Sequence, residues 1–284
     1  MRSRFTPYLL ALPSWIWLGV FLVVPLAAMA SLSTTTGNSI DGFAQTLAFS
    51  NYAEVVERFG AQLARSFLYG GLATLSMLVI GYPVAYFIAF RAGPRKSMFL
   101  FLLLLPFFVS FVLRTISWQF VLADDGFLFG PLKEWGLLPA GFHVLATTFA
   151  VVAGLTYNWL PFMILPIYVA LERVDPRVIE AAQDLYASRT AAFRRVVLPL
   201  SLPGVFAGVL MTFVPATADP VNARILGGTA NTMIGNIIQT EFEMANYPSA
   251  SALSFTLMAL LLVGIFGYAR ILGTENVLEA AAKR

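Results

Sequence analysis

Six stretches of this chain stay apolar for close to 20 residues or more: Tyr8–Leu32, Ser66–Phe90, Ser97–Leu122, Val144–Leu171, Leu200–Ala218 and Pro248–Ile271. A helix needs roughly 20 such residues to cross a hydrocarbon layer of about 30 Å. Inside that layer no water satisfies the backbone, so each segment must close its own hydrogen bonds as a helix. The pattern predicts an all-α, polytopic membrane protein with six transmembrane helices. Composition agrees: 58% of residues are hydrophobic, only 12% are charged, and the mean hydropathy is +0.77. A soluble surface carries about 25% charge.

The basic residues predict orientation. With the N-terminus inside, the inner segments hold Arg2 and Arg4; Arg91, Arg95 and Lys96; Arg173, Arg177, Arg189, Arg194 and Arg195; and Arg270, Lys283 and Arg284. The outer segments hold only Arg58, Arg65, Lys133 and Arg224, and Arg114 falls within a span. Thirteen against four puts both termini in the cytoplasm. Ala28-Met29-Ala30 resembles a signal-peptide cleavage site, but the apolar run is longer than the 7–15 residues of a signal core, so an uncleaved first helix is expected. The net charge of +3 sits at span ends, which is no footprint for nucleic acid.

Several chemistries are excluded. The chain has no cysteine and one histidine, His143, which removes disulfides, thiolate sites and multi-histidine metal sites. No Gly-x4-Gly-Lys-Ser/Thr loop is present, so the chain carries no nucleotide site of that type. The outer loops are short. Asn51–Phe59 reads as a small interfacial helix, and no segment is long enough for a separate soluble domain, so residues 1–284 read as one membrane domain.

One segment serves no membrane core. Between the fourth and fifth spans, about residues 173–199, lies an amphipathic helix-turn-helix. Asp175 caps the first helix with Pro176 at its first position, and Ser188 caps the second. Ile179, Ala182 and Leu185/Tyr186 recur on one face. Pro199 and Pro203-Gly204 are expected to break the second helix before the fifth span. On physical grounds the hairpin docks a soluble partner or lies on the membrane surface.

The pattern Glu180-Ala-Ala-x3-Tyr-Ala-Ser-x4-Phe-x4-Leu-Pro-x3-Pro-Gly resembles the signature loop of ABC importer permease subunits. Three further segments, Leu105–Trp118, Trp159–Glu172 and Leu226–Ile238, resemble those of spermidine/putrescine-type permeases. The resemblance implies the type I importer permease architecture and a bacterial inner-membrane location. The implied partners are membrane lipid, a second homologous permease, two cytoplasmic ATPase subunits and an extracytoplasmic substrate-binding protein. ATP and magnesium would be bound by those ATPases and no cofactor by this chain, which is then not an enzyme. The resemblance also assigns Glu180, Ala181, Ala182, Asp184, Tyr186 and Ser188 to ATPase docking, with Phe193 packed beneath the turn. The family usually has glycine where Tyr186 stands. Tyrosine takes positive φ only at a cost, so the turn is expected to shift toward Ala187-Ser188.

For the translocation path or gate, the candidates are Arg114, Trp118, Tyr157, Asn158 and Asp219. A charge within a span costs roughly 2.5–3.5 kcal/mol. Arg114 is about eight residues, or ~12 Å, from the end of its span, too deep to reach the headgroups. It is expected to face the interior in a structural or gating role. Polyamines call for carboxylates and aromatic faces. Asp219, Glu241, Glu243, Asp124 and Asp125, with Trp118, Tyr157 and Trp159, are the candidates. Asp219 leads because it follows Pro215 at a broken helix end. The competing readings are a permease for another small solute and a gradient-driven carrier. The second would need internal repeats and acids within the spans, and neither is evident. An intramembrane enzyme would need a nucleophile and base or metal ligands at depth, which the spans lack.

Overall fold

The computed structural model describes residues 6–271, apart from 39, 41 and 140. Arg2, Arg4, Lys283, Arg284 and the tail from Leu278 lie outside the described residues. In chain order the elements are α1 (Thr6–Leu18), α2 (Val24–Ser33), strands β1 (Thr35–Asn38) and β2 (Gly42–Gln45), α3 (Ser50–Phe90), α4 (Lys96–Leu104), α5 (Phe111–Leu122), α6 (Phe129–Glu134), α7 (Thr148–Glu172), α8 (Pro176–Asp184), α9 (Arg189–Ala192), α10 (Leu198–Thr217), α11 (Val221–Leu226), α12 (Ile234–Glu243) and α13 (Tyr247–Ile271). Among the described residues five helical segments are long and apolar enough to span a membrane, or six if a bent pair is counted as one span. The architecture is mostly helical, as the apolar pattern predicts. One antiparallel hairpin, Thr35 opposite Gln45 and Asn38 opposite Gly42, occupies what reads as loop.

Three expectations need correction. Asn51–Phe59 is no separate interfacial helix: α3 runs unbroken from Ser50 to Phe90. The third span is not straight. Gly93–Phe108 and Phe111–Leu122 meet at 91°, with Val109 and Ser110 extended between them. Pro106 opens this break within a tight turn, Leu105–Phe108, because it has no amide to continue the α-helical ladder. The depth argument for Arg114, which assumed one continuous helix, therefore does not hold. Finally, Pro199 and Pro203 do not break the chain: Arg189–Thr217 is one continuous helical segment. A wide π turn, Phe193–Val197, closes when the Leu198 amide donates to the Phe193 carbonyl. It lies just before Pro199, where the ring would otherwise strike the preceding turn. The same device, Gly19–Val23, precedes Pro25 in the first span.

Contacts divide the described chain into two compact units, residues 6–61 with 237–260, and residues 62–236 with 261–271. In the first, residues 11–33 bury few side chains: Trp15, Phe21 and Val24 are more than half exposed, an apolar surface suited to lipid. The β-hairpin is tied to that segment. Ser33 Oγ shares a hydrogen bond with Tyr52 Oη (2.7 Å), and Asn51 Nδ2 donates to the Ser33 and Thr35 carbonyls (both 2.9 Å).

The second unit holds the main core, where Met77, Leu155, Met163, Ile164 and Ile167 are fully enclosed. A close seam joins α7 and α10. Gly204 and Gly208, four residues apart, face Ile167 and Met163, which lets the two backbones approach closely. The ends of α7 and α4 are joined by Lys96 Nζ to Glu172 Oε1 at 3.5 Å. This puts Arg173 and Lys96, from two segments assigned to the same side by charge, at one end of the unit.

Candidate functional site: a protruding hairpin and a polar cluster among the helices

The α8–α9 hairpin is built by local rules. Asp175 Oδ1 accepts from the Arg177 amide (2.9 Å) and Ser188 Oγ accepts from the Ala191 amide (3.2 Å), so both predicted caps form. Ile179 and Phe193 pack onto the core, and Phe193 lies edge-on to Tyr82 (5.8 Å) and Tyr86 (5.9 Å). Glu180, Ala181, Asp184 and Ser188 are exposed and Ala182 is half-buried. Leu185 and Tyr186 do not share the buried face with Ile179, as the periodicity suggests. They project from the tip at 81% and 99% exposure.

The turn does not shift to Ala187-Ser188. Tyr186 itself holds φ +64°. Its amide donates to the Gln183 carbonyl (2.9 Å), and the Ala187 amide reaches back to Ala182 (3.0 Å). This is the paired closure that normally has glycine at the left-handed position. The two closing bonds outweigh the local strain of about 1–2 kcal/mol that an L-residue carries there. Tyr186→Gly should therefore stabilise the turn by about 1 kcal/mol. Amide exchange at Ala187 should slow by about fivefold. Unchanged or faster exchange would show that the tyrosine is not strained.

The second candidate lies where α5, α7 and α11 meet. Asn158 Nδ2 donates to Thr115 Oγ1 (3.0 Å) and to Asn222 Oδ1 (3.1 Å), and Asn222 Nδ2 donates to Asp219 Oδ2 (2.9 Å). Asp219 Oδ1 accepts the amides of Val221 (2.7 Å) and Asn222 (2.8 Å), capping α11. All four side chains are buried. Asp219 is therefore a structural cap as well as a wall residue of a cavity of about 390 Å³ that it shares with Phe107, Phe111, Arg114, Trp159 and Phe162. Thr115 and Asn222 escaped the sequence reading because their role depends on partners 43 to 107 residues away.

Arg114 is interior, at 7% exposure. Its guanidinium carbon sits 4.3 Å from the Phe107 ring centre and 5.8 Å from that of Phe111. Nε and Nη1 have no hydrogen-bond partner. Trp118 and Tyr157 pack edge to face at 5.5 Å and line a second cavity of about 400 Å³, on which Arg114 also borders. Asp124 pairs with Lys133 (3.4 Å), and Glu241 Oε2 accepts from Asn246 Nδ2 (2.6 Å). Among the described residues no group of three or more His, Cys, Asp or Glu could hold a metal.

Apolar helices long enough to span a membrane, a capped hairpin between two of them and a buried polar cluster define a polytopic membrane protein. The chain belongs to the family described as binding-protein-dependent transport system inner membrane component, whose model matches residues 77–272. It is a multi-pass inner-membrane protein. Its sequence is 36% identical over 256 residues to the spermidine/putrescine transport system permease protein PotB of Haemophilus influenzae, covering 89% of this chain and 90% of that one. It is 32% identical over 268 residues to the PotB protein of Escherichia coli K12, covering 93% and 98%. The fold is also that of a chain in the crystal structure of a bacterial alginate ABC transporter in complex with an alginate pentasaccharide-bound periplasmic protein. There the TM-score is 0.75 at 18% identity, covering 96% of this chain and 95% of that one. That transporter is described with alginate, so the fold alone does not select the solute.

Proposed function

We propose that this chain is one permease of an ATP-driven polyamine importer, taking up spermidine or putrescine. It forms half of a pore with a second, homologous permease. Both termini lie in the cytoplasm, two ATPase subunits bind below, and a substrate-binding protein delivers solute from outside. The chain itself is one membrane domain without catalytic residues, and ATP and magnesium are bound by the ATPases. The observation that carries this reading is the near full-length match to spermidine/putrescine permeases.

The α8–α9 hairpin supplies the coupling. Glu180, Ala181, Asp184, Tyr186 and Ser188 present an exposed surface to the ATPase, while Phe193 anchors the hairpin to Tyr82 and Tyr86. Closure of the ATPase pair on ATP moves the hairpin, and the tightly packed α7 and α10 move with it as a body. A shift between two packed states is the response expected of such an interior.

The experiment is a solute screen on the assembled complex with its binding protein, reading ATP hydrolysis. Spermidine or putrescine should stimulate hydrolysis above all other small solutes tested. Stimulation by a different solute class alone would reject the polyamine assignment and leave the permease role standing.

A further inference from the structure

The cavity beneath the bend of the third span has the chemistry of a cation receptor. Four aromatic rings wall it: Phe107 and Phe162 lie at 5.3 Å, Trp159 and Phe162 at 5.5 Å, and Phe111 and Trp159 at 6.0 Å. Asp219 supplies the carboxylate. Its Oδ1 carries two hydrogen bonds and its Oδ2 one, which leaves acceptor capacity on Oδ2. The indole N–H of Trp159, on the same cavity wall, has no hydrogen-bond partner. Two helix breaks converge here, the 91° bend before α5 and the end of α10, the kind of discontinuity at which transport sites form.

A cation already stands against this wall: the chain's own Arg114, stacked on Phe107. It is poorly satisfied. Nε and Nη1 are closed off from solvent and bond to nothing, and no ion pair joins Arg114 to Asp219, although both line the cavity. Unpaired charged donors in so buried a position call for an explanation. Arg114 also has somewhere to go. It borders the second cavity, where the Trp118 and Tyr157 rings offer another aromatic surface and Tyr157 and Ser117 offer hydroxyl acceptors.

We infer that the cavity of Phe107, Phe111, Trp159, Phe162 and Asp219 is a site for organic cations, ammonium or guanidinium, and that Arg114 is its tethered occupant. A free cation entering the site displaces Arg114 toward Trp118 and Tyr157. The inference rests on the polyamine reading only for the identity of the natural cation; the receptor chemistry is independent of it. The arginine then serves two ends. It covers the aromatic wall while the site is empty, and it limits how tightly an entering cation is held, which a transport site requires.

The test uses the assembled complex in nanodiscs and reads equilibrium binding of methylguanidinium, with spermidine as a separate ligand. Arg114→Ala should raise methylguanidinium affinity by about tenfold, the scale of one desolvated cation–π contact. Adding Phe107→Leu, which keeps apolar bulk and removes the ring, should cancel that gain. If Arg114→Ala binds methylguanidinium no better than the parent, or if acetate binds the parent and not the variant, Arg114 holds an acceptor instead and the inference is wrong. Methylguanidinium binding without spermidine binding would support the site and count against the polyamine assignment alone.

Discussion

Ala181→Trp should abolish coupled uptake while leaving the chain folded and inserted. Ala181 is exposed on α8, so an indole there meets no atom of this chain's core and carries no packing penalty within it. The caps at Asp175 and Ser188 and the packing of Phe193 lie on other faces and stay intact. What the indole does alter is the shallow surface beside Glu180 and Ala182 that the ATPase is proposed to grip. Losing about 1.4 kcal/mol of that contact is tenfold in affinity, and a bulky side chain in a close-packed interface costs more. Solute uptake should fall by at least about tenfold while the complex still hydrolyses ATP or releases its ATPase. Normal uptake with the parental ratio of hydrolysis to transport would remove the hairpin from the coupling route.

The second large effect is expected at the α7–α10 seam. A Cβ on Gly204 would stand 2.5 Å from the Pro166 carbonyl oxygen and 2.5 Å from Ala170 Cβ. The first of these is backbone in the middle of a helix and cannot rotate away. Gly204→Leu must push the two helices apart along the seam that also holds Gly208 against Met163. Overpacking a well-filled core costs typically 1–3 kcal/mol, and a backbone collision belongs at or above the top of that range. At about 3 kcal/mol the melting temperature of the purified protein should drop by about 10 °C, with much of the chain lost before purification. A Gly204→Leu protein that purifies with parental yield and melting temperature would mean the seam is not close-packed.

What could be read in the sequence was what local chemistry decides. The apolar stretches mark the spans, and the caps at Asp175 and Ser188 form because an oxygen at each position lies within reach of amides two or three residues on. The aromatic anchor Phe193 was also legible from its place in the motif. The misreadings share a cause. Pro199 and Pro203 carry the usual signal for a helix end, yet the helical segment Arg189–Thr217 runs through both. The chain answers with a π turn and continues. Tyr186 carries the usual signal against positive φ, but the Ala182 and Gln183 carbonyls hold the turn in place. The bend at Val109-Ser110 went unread, because Ser97–Leu122 reads as one straight apolar span although Pro106 opens the break.

The candidate site was half legible. Arg114, Asn158 and Asp219 stand out as polar groups in or beside apolar runs. Asp219 was read only as a ligand candidate; its second role, capping α11, depends on how the chain turns after α10 and gave no signal. Thr115 and Asn222 gave no signal beyond their polarity. Their pairing with Asn158 exists only once three helices have met.

The central claim is that this chain moves solute only when a nucleotide-driven partner pulls on its α8–α9 hairpin. Its most direct test is spermidine uptake into sealed vesicles carrying the chain, a second permease and the ATPase subunits, with binding protein outside. The account predicts accumulation when ATP is inside, and none when the ATPases are omitted or given a non-hydrolysable analogue. Steady spermidine entry through vesicles containing this chain by itself, without nucleotide, would contradict it.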